Sequence, residues 1–300
     1  MKVKGMIYIV LVVLAVAVAV GFIVPAVKMH TMLDCRTEGE EYCAAEFGVN
    51  SSSVALTSCD GVSLMAYEVA VEQPRGVVIC LGGIHSATVT NWYGHANLFA
   101  ESGFASLLLD LRSHGKSEGK RIYAATREWQ DVDAAVDYIR SQDRYAGKPI
   151  VVMGLSMGAA TAVVSIGRNS EIDGLISLSS YSSWEYNFNR NVEQRVPKVV
   201  AAMLAPFVDA VTRLRFGRMA AITPLAAIKK LGTRPALLVQ ATGDKTVPYG
   251  NFVELTSAAP QAQTWVVESD NHCIIDDFVH PKNSKLYCDK IIAFLNQHFE

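Results

Sequence analysis

Residues 151–160, Val-Val-Met-Gly-Leu-Ser-Met-Gly-Ala-Ala, constrain the fold more than any other stretch. An apolar run of the kind that forms a strand covered on both faces ends in Gly154-Leu155-Ser156-Met157-Gly158, and small, helix-compatible residues follow. Two glycines flanking a lone serine suit a strand-to-helix turn too tight for neighbouring side chains. Such a Gly-x-Ser-x-Gly nucleophile elbow lifts the hydroxyl clear of the sheet and sets the next N–H at a helix N-terminus, facing any developing negative charge. Ser156 is therefore expected as a nucleophile, and the Met157 N–H as one donor of an oxyanion hole.

The remaining pattern fits that turn. Apolar strand-like runs recur at Gly76–Leu81, Phe104–Asp110, "KPIVVM", "DGLISLSS", "RPALLVQA" and "QTWVVES". Between them lie helical patterns: Trp129, Val132, Val136 and Ile139 at helical spacing, "MGAATAVVSIG", and the closing "SKLYCDKIIAFLNQHF". Two further strand-like runs flank Asp60-Gly61, a hairpin signal. This alternation predicts an α/β fold, a mainly parallel sheet with helices on both faces. Residues 181–223 break it with an apolar helical block interrupted by Pro206. The block is read as a cap over the substrate pocket, an extra packing helix being the plainer alternative. Its amphipathic part, 196–216, with Arg213, Arg215 and Arg218 clustered at one end, would also suit a bilayer surface.

A nucleophilic serine needs a base and an acid. His272 lies just past the last strand-like run, Trp265–Glu268, whereas His280 starts a loop and His298 sits in the terminal helix. Asp244 follows the Leu237–Ala241 run, where a carboxylate would hold the imidazole in one tautomer and stabilise its charged form. Asp270 and Asp276 share the histidine's own loop. The order Ser156, Asp244, His272 is the one expected of this architecture. The second oxyanion donor is assigned to the backbone N–H of Ile84, after the buried run that ends in Gly82-Gly83. His85 beside it is read either as pocket-lining or as a turn cap. Gly83, His85, Tyr181 and Trp184 are the expected substrate contacts.

The chain begins with a different kind of segment. Lys2 and Lys4 precede an apolar run with no charge before Lys28. About 20 such residues cross a hydrocarbon core of about 30 Å. Ala17-Val18-Ala19 resembles a signal-cleavage site, but the apolar run continues through Ile23 and Val24, which favours an uncleaved anchor. The organisation expected is an anchor over 1–27, a stalk over 28–52 and a catalytic domain over 53–300. The lysines ahead of the span leave the N-terminus cytosolic and the catalytic mass outside. A net charge of −2 with no basic run argues against nucleic acid as a partner. The cysteines have no metal spacing, so no metal is expected. An oxidising compartment would permit Cys35–Cys43 and Cys273–Cys288 bridges, free thiols being the alternative.

From Val54 to the C-terminus, the stretches "LGGIHSA", "LLLDLRSHGKSEG", "GLSMG", "RPALLVQATGDKTVP" and "ESDNHC" resemble the α/β-hydrolases of the serine aminopeptidase and monoglyceride-lipase-like branch. Similar proteins usually carry His-Gly at Gly82-Gly83 and often Gly at Ser113. The resemblance implies that Asp110, Arg112 and His114 support the loops around the site. It also implies a cofactor-free serine hydrolase acting through an acyl-enzyme. The apolar cap and anchor favour a hydrophobic acyl ester. A peptidase or acyltransferase with the same triad, or a non-catalytic binding protein on this scaffold, are the competing readings.

Overall fold

In the computed structural model, which describes residues 2–299 and side chains from residue 6 onward, the apolar runs assemble into one eight-stranded sheet. β1 (Ser52–Thr57) and β2 (Ser63–Val69) pair antiparallel around Gly61, with Leu56 opposite Leu64. Then come β3 (Gly76–Leu81), β4 (Phe104–Leu109), β5 (Ile150–Leu155), β6 (Gly174–Leu178), β7 (Ala236–Ala241) and β8 (Gln263–Val267). The order across the sheet is β1-β2-β4-β3-β5-β6-β7-β8. β2 meets β4 antiparallel, and every pairing from β4 to β8 is parallel. All residues of β3 to β7 are buried, as strands covered on both faces require.

The helices are α1 (Lys2–Leu33), α2 (Tyr93–Glu101), α3 (Trp129–Ser141), α4 (Met157–Ile166), α5 (Trp184–Glu193), α6 (Lys198–Phe216), α7 (Pro224–Ile228), α8 (Gly250–Ala258) and α9 (Lys285–His298). Strand side chains alternate between two cores. Val77, Ile79 and Leu81 join α3, α4, α7 and α8 on one face. Val78 and Cys80 join α2 and α9 on the other. Neither α2 nor α8 has a counterpart in the sequence reading. Both are short, and each carries a glycine that packs closely on a distant part of the chain. A Cβ at Gly94 would lie 2.2 Å from the Val279 carbonyl oxygen, and one at Gly250 would lie 2.5 Å from Tyr186 Oη.

Two sequence expectations are corrected. The first helix does not stop at residue 27 but continues to Leu33, because Pro25, Met29 and Leu33 form a buried stripe against the body. Nor is 28–52 a free stalk. Thr37 N donates to Ser113 O at 2.9 Å, Gly115 N to Thr37 O at 2.9 Å, Tyr42 N to Thr90 Oγ1 at 3.0 Å and Tyr67 Oη to Glu41 at 2.8 Å. Of the two alternatives for the cysteines, the structure has the free thiols, at all six positions. Cys35 and Cys288 each donate to a nearby carbonyl instead, of Met32 and Pro281.

Asp34, one residue past α1, ties that helix to the rest. It accepts from Arg121 on the segment between β4 and α3, from Arg215 on α6 and from His30 on α1 itself. Burial pushes its carboxyl up, but hydrogen bonds from Arg215, His30 and Arg121 outweigh this and hold its pKa at about 2. A carboxylate depressed in this way contributes stability that is complete above its unfolded value and is lost as pH falls toward the folded one. Asp34→Asn should therefore cost about 1 kcal/mol at pH 7. In paired thermal unfolding, the difference from wild type should shrink as the pH is taken from about 4 toward 3.

Candidate active site

β5 ends at Leu155, and α4 begins at Met157, so a single residue makes the turn. Ser156 takes φ 58° and ψ −118°, a strained conformation for any residue but glycine. Its two glycines are sterically required. A Cβ on Gly154 would lie 2.3 Å from the Gly158 carbonyl carbon and oxygen, and one on Gly158 would lie 2.4 Å from Leu81 O at the end of β3. The approach of α4 to β3 brings the Gly82-Gly83 loop against the serine: a Cβ built on Gly83 would sit 3.5 Å from Ser156 Cβ.

Asp244 occupies the turn after β7 with a fully buried side chain. Its Oδ1 accepts from Thr246 N at 2.8 Å and Val247 N at 2.9 Å, and its Oδ2 from Gln240 Nε2 at 3.0 Å. The fourth contact is His272 Nδ1, 2.7 Å from Oδ2. A carboxylate only accepts, so Nδ1 donates and Nε2 is left as the acceptor of a neutral ring. His272 itself stands on the loop after β8, with 22% of its side chain exposed. Ser179 Oγ donates to His272 O at 2.8 Å, and Ser156 N donates to Leu178 O at 2.8 Å. The end of β6 thus joins the serine turn to the histidine loop. Asp276 accepts from Asn271 at 3.0 Å, and among the described residues the ring's hydrogen bond goes to Asp244. Among the described residues Ser156 Oγ has no hydrogen-bond partner, a contact that in unliganded sites of this kind often closes only with substrate.

Gly83 O accepts from Ser86 N at 3.1 Å, and Gly83 N donates to Ser86 Oγ at 3.0 Å. That turn leaves the Ile84 N–H without a backbone partner among the described residues, as is the Met157 N–H in the first turn of α4. The stretch 110–117 holds the loop from behind. Asp110 Oδ1 accepts from Val89 N at 2.7 Å, and His114 Nε2 lies 3.0 Å from Ile84 O. Buried Arg112 spans Asp131 at 2.6 Å and Asp60 at 2.7 Å, pinning α3 and the β1–β2 turn to the same segment. Burial pushes the Asp110 carboxyl up, against the backbone N–H groups that favour its charge. Ser113 has φ 66°, the left-handed conformation that glycine adopts without strain.

Above Ser156 opens a cavity of about 550 Å³, within the range of small-molecule sites. Ile84, His85, Ser156, Met157, Tyr181 and Trp184 all line it. Gly83 does not; it lies against the serine. Asp244 and His272 also stand outside the lining. Burial pushes the His85 imidazole pKa down, with His114 and Lys28 adding to the shift. Sequence reasoning missed one wall entirely. Val24, Pro25, Lys28 and Met32 of α1 face the cavity, and so do Arg195 and Lys245. The available signal was the spacing of Pro25, Met29, Met32 and Leu33, which continues a helical stripe past the first charge.

This sheet order, with a strand-to-helix turn at Ser156 after β5, defines the α/β-hydrolase fold. Residues 72–219 match the serine aminopeptidase S33 family. The chain is 26% identical over 256 residues to the uncharacterized protein YqkD of Bacillus subtilis (strain 168), covering 83% of this chain and 80% of that protein. In structure it resembles the Pyrococcus furiosus esterase Pf2001, with a TM-score of 0.68 at 20% identity over 88% of this chain and 99% of the esterase. It also resembles an acylaminoacyl peptidase of Pyrococcus horikoshii, with a TM-score of 0.61 at 14% identity over 87% of this chain and 44% of the peptidase. Family and fold together support hydrolase activity.

The glycine contacts lead to a direct test. Gly158→Ala forces a methyl group into backbone atoms of β3 that have no room to yield. It should cost about 1–3 kcal/mol or more, read as a lower Tm, whereas Gly147→Ala, where a Cβ meets no atom within 4 Å, should cost less despite its φ of 70°.

Proposed function

We propose that this chain is a membrane-anchored serine hydrolase that cleaves the ester of a hydrophobic acyl group through Ser156, His272 and Asp244. The observation that carries this reading is the 2.7 Å contact between His272 Nδ1 and an Asp244 carboxylate otherwise saturated by donors. It leaves Nε2 to take the Ser156 proton as Oγ bonds to the acyl carbon. The carbonyl oxygen becomes an oxyanion held by the Ile84 and Met157 N–H groups. The imidazolium then gives its proton to the departing alkoxide, the C–O bond breaks and an acyl-serine remains. Water, losing its proton to His272, attacks that acyl group; the C–Oγ bond breaks, His272 returns the proton to Ser156 Oγ, and the carboxylic acid leaves. Tyr181, Trp184 and His85 are the substrate contacts in this scheme, with Gly83 shaping the turn beneath the carbonyl.

α1 from Met6 to Leu33 is long and apolar enough to cross a membrane by length and composition. Lys2 and Lys4 ahead of it leave the N-terminus cytosolic and the hydrolase body on the other side. Ester rather than peptide cleavage is favoured because, among the described residues, no Asp or Glu lines the cavity to receive a free terminal amine.

The test is a fluorophosphonate probe applied to the full chain, beside turnover of p-nitrophenyl esters of graded length. Wild type should label and Ser156→Ala should not, with kcat/KM falling by about 10⁴ or more. Asp244→Asn should lose about 10⁴ in kcat while Asp276→Asn stays near wild type. Full turnover by the serine variant would remove the nucleophile and the mechanism with it.

A further inference from the structure

The cavity has two chemically distinct zones. Its inner wall is apolar and buried: Met157, Tyr181, Trp184, Val208 and Val247 surround the approach to Ser156. Its outer wall carries Lys28, Arg195 and Lys245, all exposed. They come from three separate elements: α1, the turn after α5 and the loop that begins with Asp244. Among the described residues none of the three forms an ion pair. The lining therefore holds three uncompensated positive charges and no carboxylate. Like charges gathered at a low-dielectric mouth repel one another and raise the local concentration of anions.

The origin of Lys28 narrows the substrate further. It lies on α1 with Val24, Pro25 and Met32, so the helix that would anchor the chain also walls the pocket. α1 is held there by the edge-to-face contact of Phe22 with Phe207 of α6, ring centroids 5.0 Å apart, and by buried Met29 and Leu33. α6 in turn exposes Val199, Val200 and Met203. The cavity thus lies where an apolar helix meets an apolar cap, and its cations stand at the opening. An amphiphile fits this division, chain inward and charged head outward.

We propose that the substrate is the acyl ester of an anionic alcohol, an amphiphile whose negatively charged head group is received by Lys28, Arg195 and Lys245 while its acyl chain fills the inner cavity. This rests on the serine-hydrolase reading above and adds the charge and orientation of the substrate. Lys28 acts as a specificity residue, and α1 is part of the binding site as well as a tether. The bond broken is the same ester C–O bond, and the anionic alcohol leaves with the proton from His272.

The experiment uses the full chain in neutral detergent, with substrates below their critical micelle concentrations. Release of decanoate is followed from 1-decanoylglycerol, from 1-decanoylglycerol 3-phosphate and from its choline ester, which carries no net charge. The p-nitrophenyl half-ester of decanedioic acid places the charge on the acyl side instead. The phosphate ester should exceed the neutral glycerol ester in kcat/KM by about tenfold, as two exposed ion pairs would give. Lys28→Gln should lower that ratio about threefold, and Lys28→Arg should retain it. Independently of any variant, the wild-type ratio should fall as NaCl is raised, because exposed pairs are screened. Equal turnover of charged and neutral esters, or a ratio indifferent to salt and to Lys28→Gln, would overturn the proposal. Preference for the decanedioate half-ester would overturn the orientation. Fluorophosphonate labelling of Ser156 on the same samples separates the two levels. Labelling without anionic preference rejects this inference alone, and absence of both labelling and hydrolysis rejects the hydrolase reading beneath it.

Discussion

The contact between the start of α4 and the end of β3 governs the rest of the site. It is an approach of backbone to backbone, possible only because Gly158 lacks a Cβ, while Gly154 for the same reason lets the start of α4 lie against β5. Bringing the two elements this close forces Ser156 to φ 58° and sets its amide neighbour, Met157, at the first turn of a helix. The same approach lays the loop after β3 against the serine, so the Ile84 N–H and the Met157 N–H come from adjacent strands of one parallel sheet. Strain at one serine is thus maintained by packing that involves no catalytic side chain.

Around that contact, polar side chains orient loops that have little apolar content of their own. Asp110, Arg112 and His114 follow β4 and bind, respectively, the backbone at Val89, the carboxylates of Asp60 and Asp131, and the Ile84 carbonyl. Each is buried, so each partner is needed to offset desolvation. Asp244 follows the same rule on the other side of the serine, with the added consequence that its last acceptor position goes to an imidazole. Supporting and candidate catalytic carboxylates here use one physical device and differ in what the last donor is.

The N-terminal helix changes the character of the pocket. Without α1, the cap helices would leave the cavity open along Val24, Pro25, Lys28 and Met32. Asp34 and the Phe22–Phe207 contact hold it in place from two ends of the interface. An element that its composition marks as a tether therefore also takes part in the shape and charge of the space above Ser156.

Much of this molecule was legible from residue order. The elbow could be read because its glycines act on atoms within a few residues, and the strands because burial on both faces requires uninterrupted apolar runs such as Val77–Leu81. Asp244 and His272 could be located because loops after parallel strands open on the same edge of the sheet, where the structure brings them to 2.7 Å. The short helices α2 and α8 were not legible, since their glycines answer to Val279 and Tyr186, far away in the chain. The junction at residues 28–52 was not legible for a related reason. A polar segment looks like a linker until its backbone finds Ser113, Gly115 and Thr90. Sequence alone located the strained turn at Ser156, because that turn follows from local sterics and strand order. Only the tertiary structure decided that Lys28, Arg195 and Lys245 share one opening, because their separation along the chain carries no information until the cap and α1 have packed.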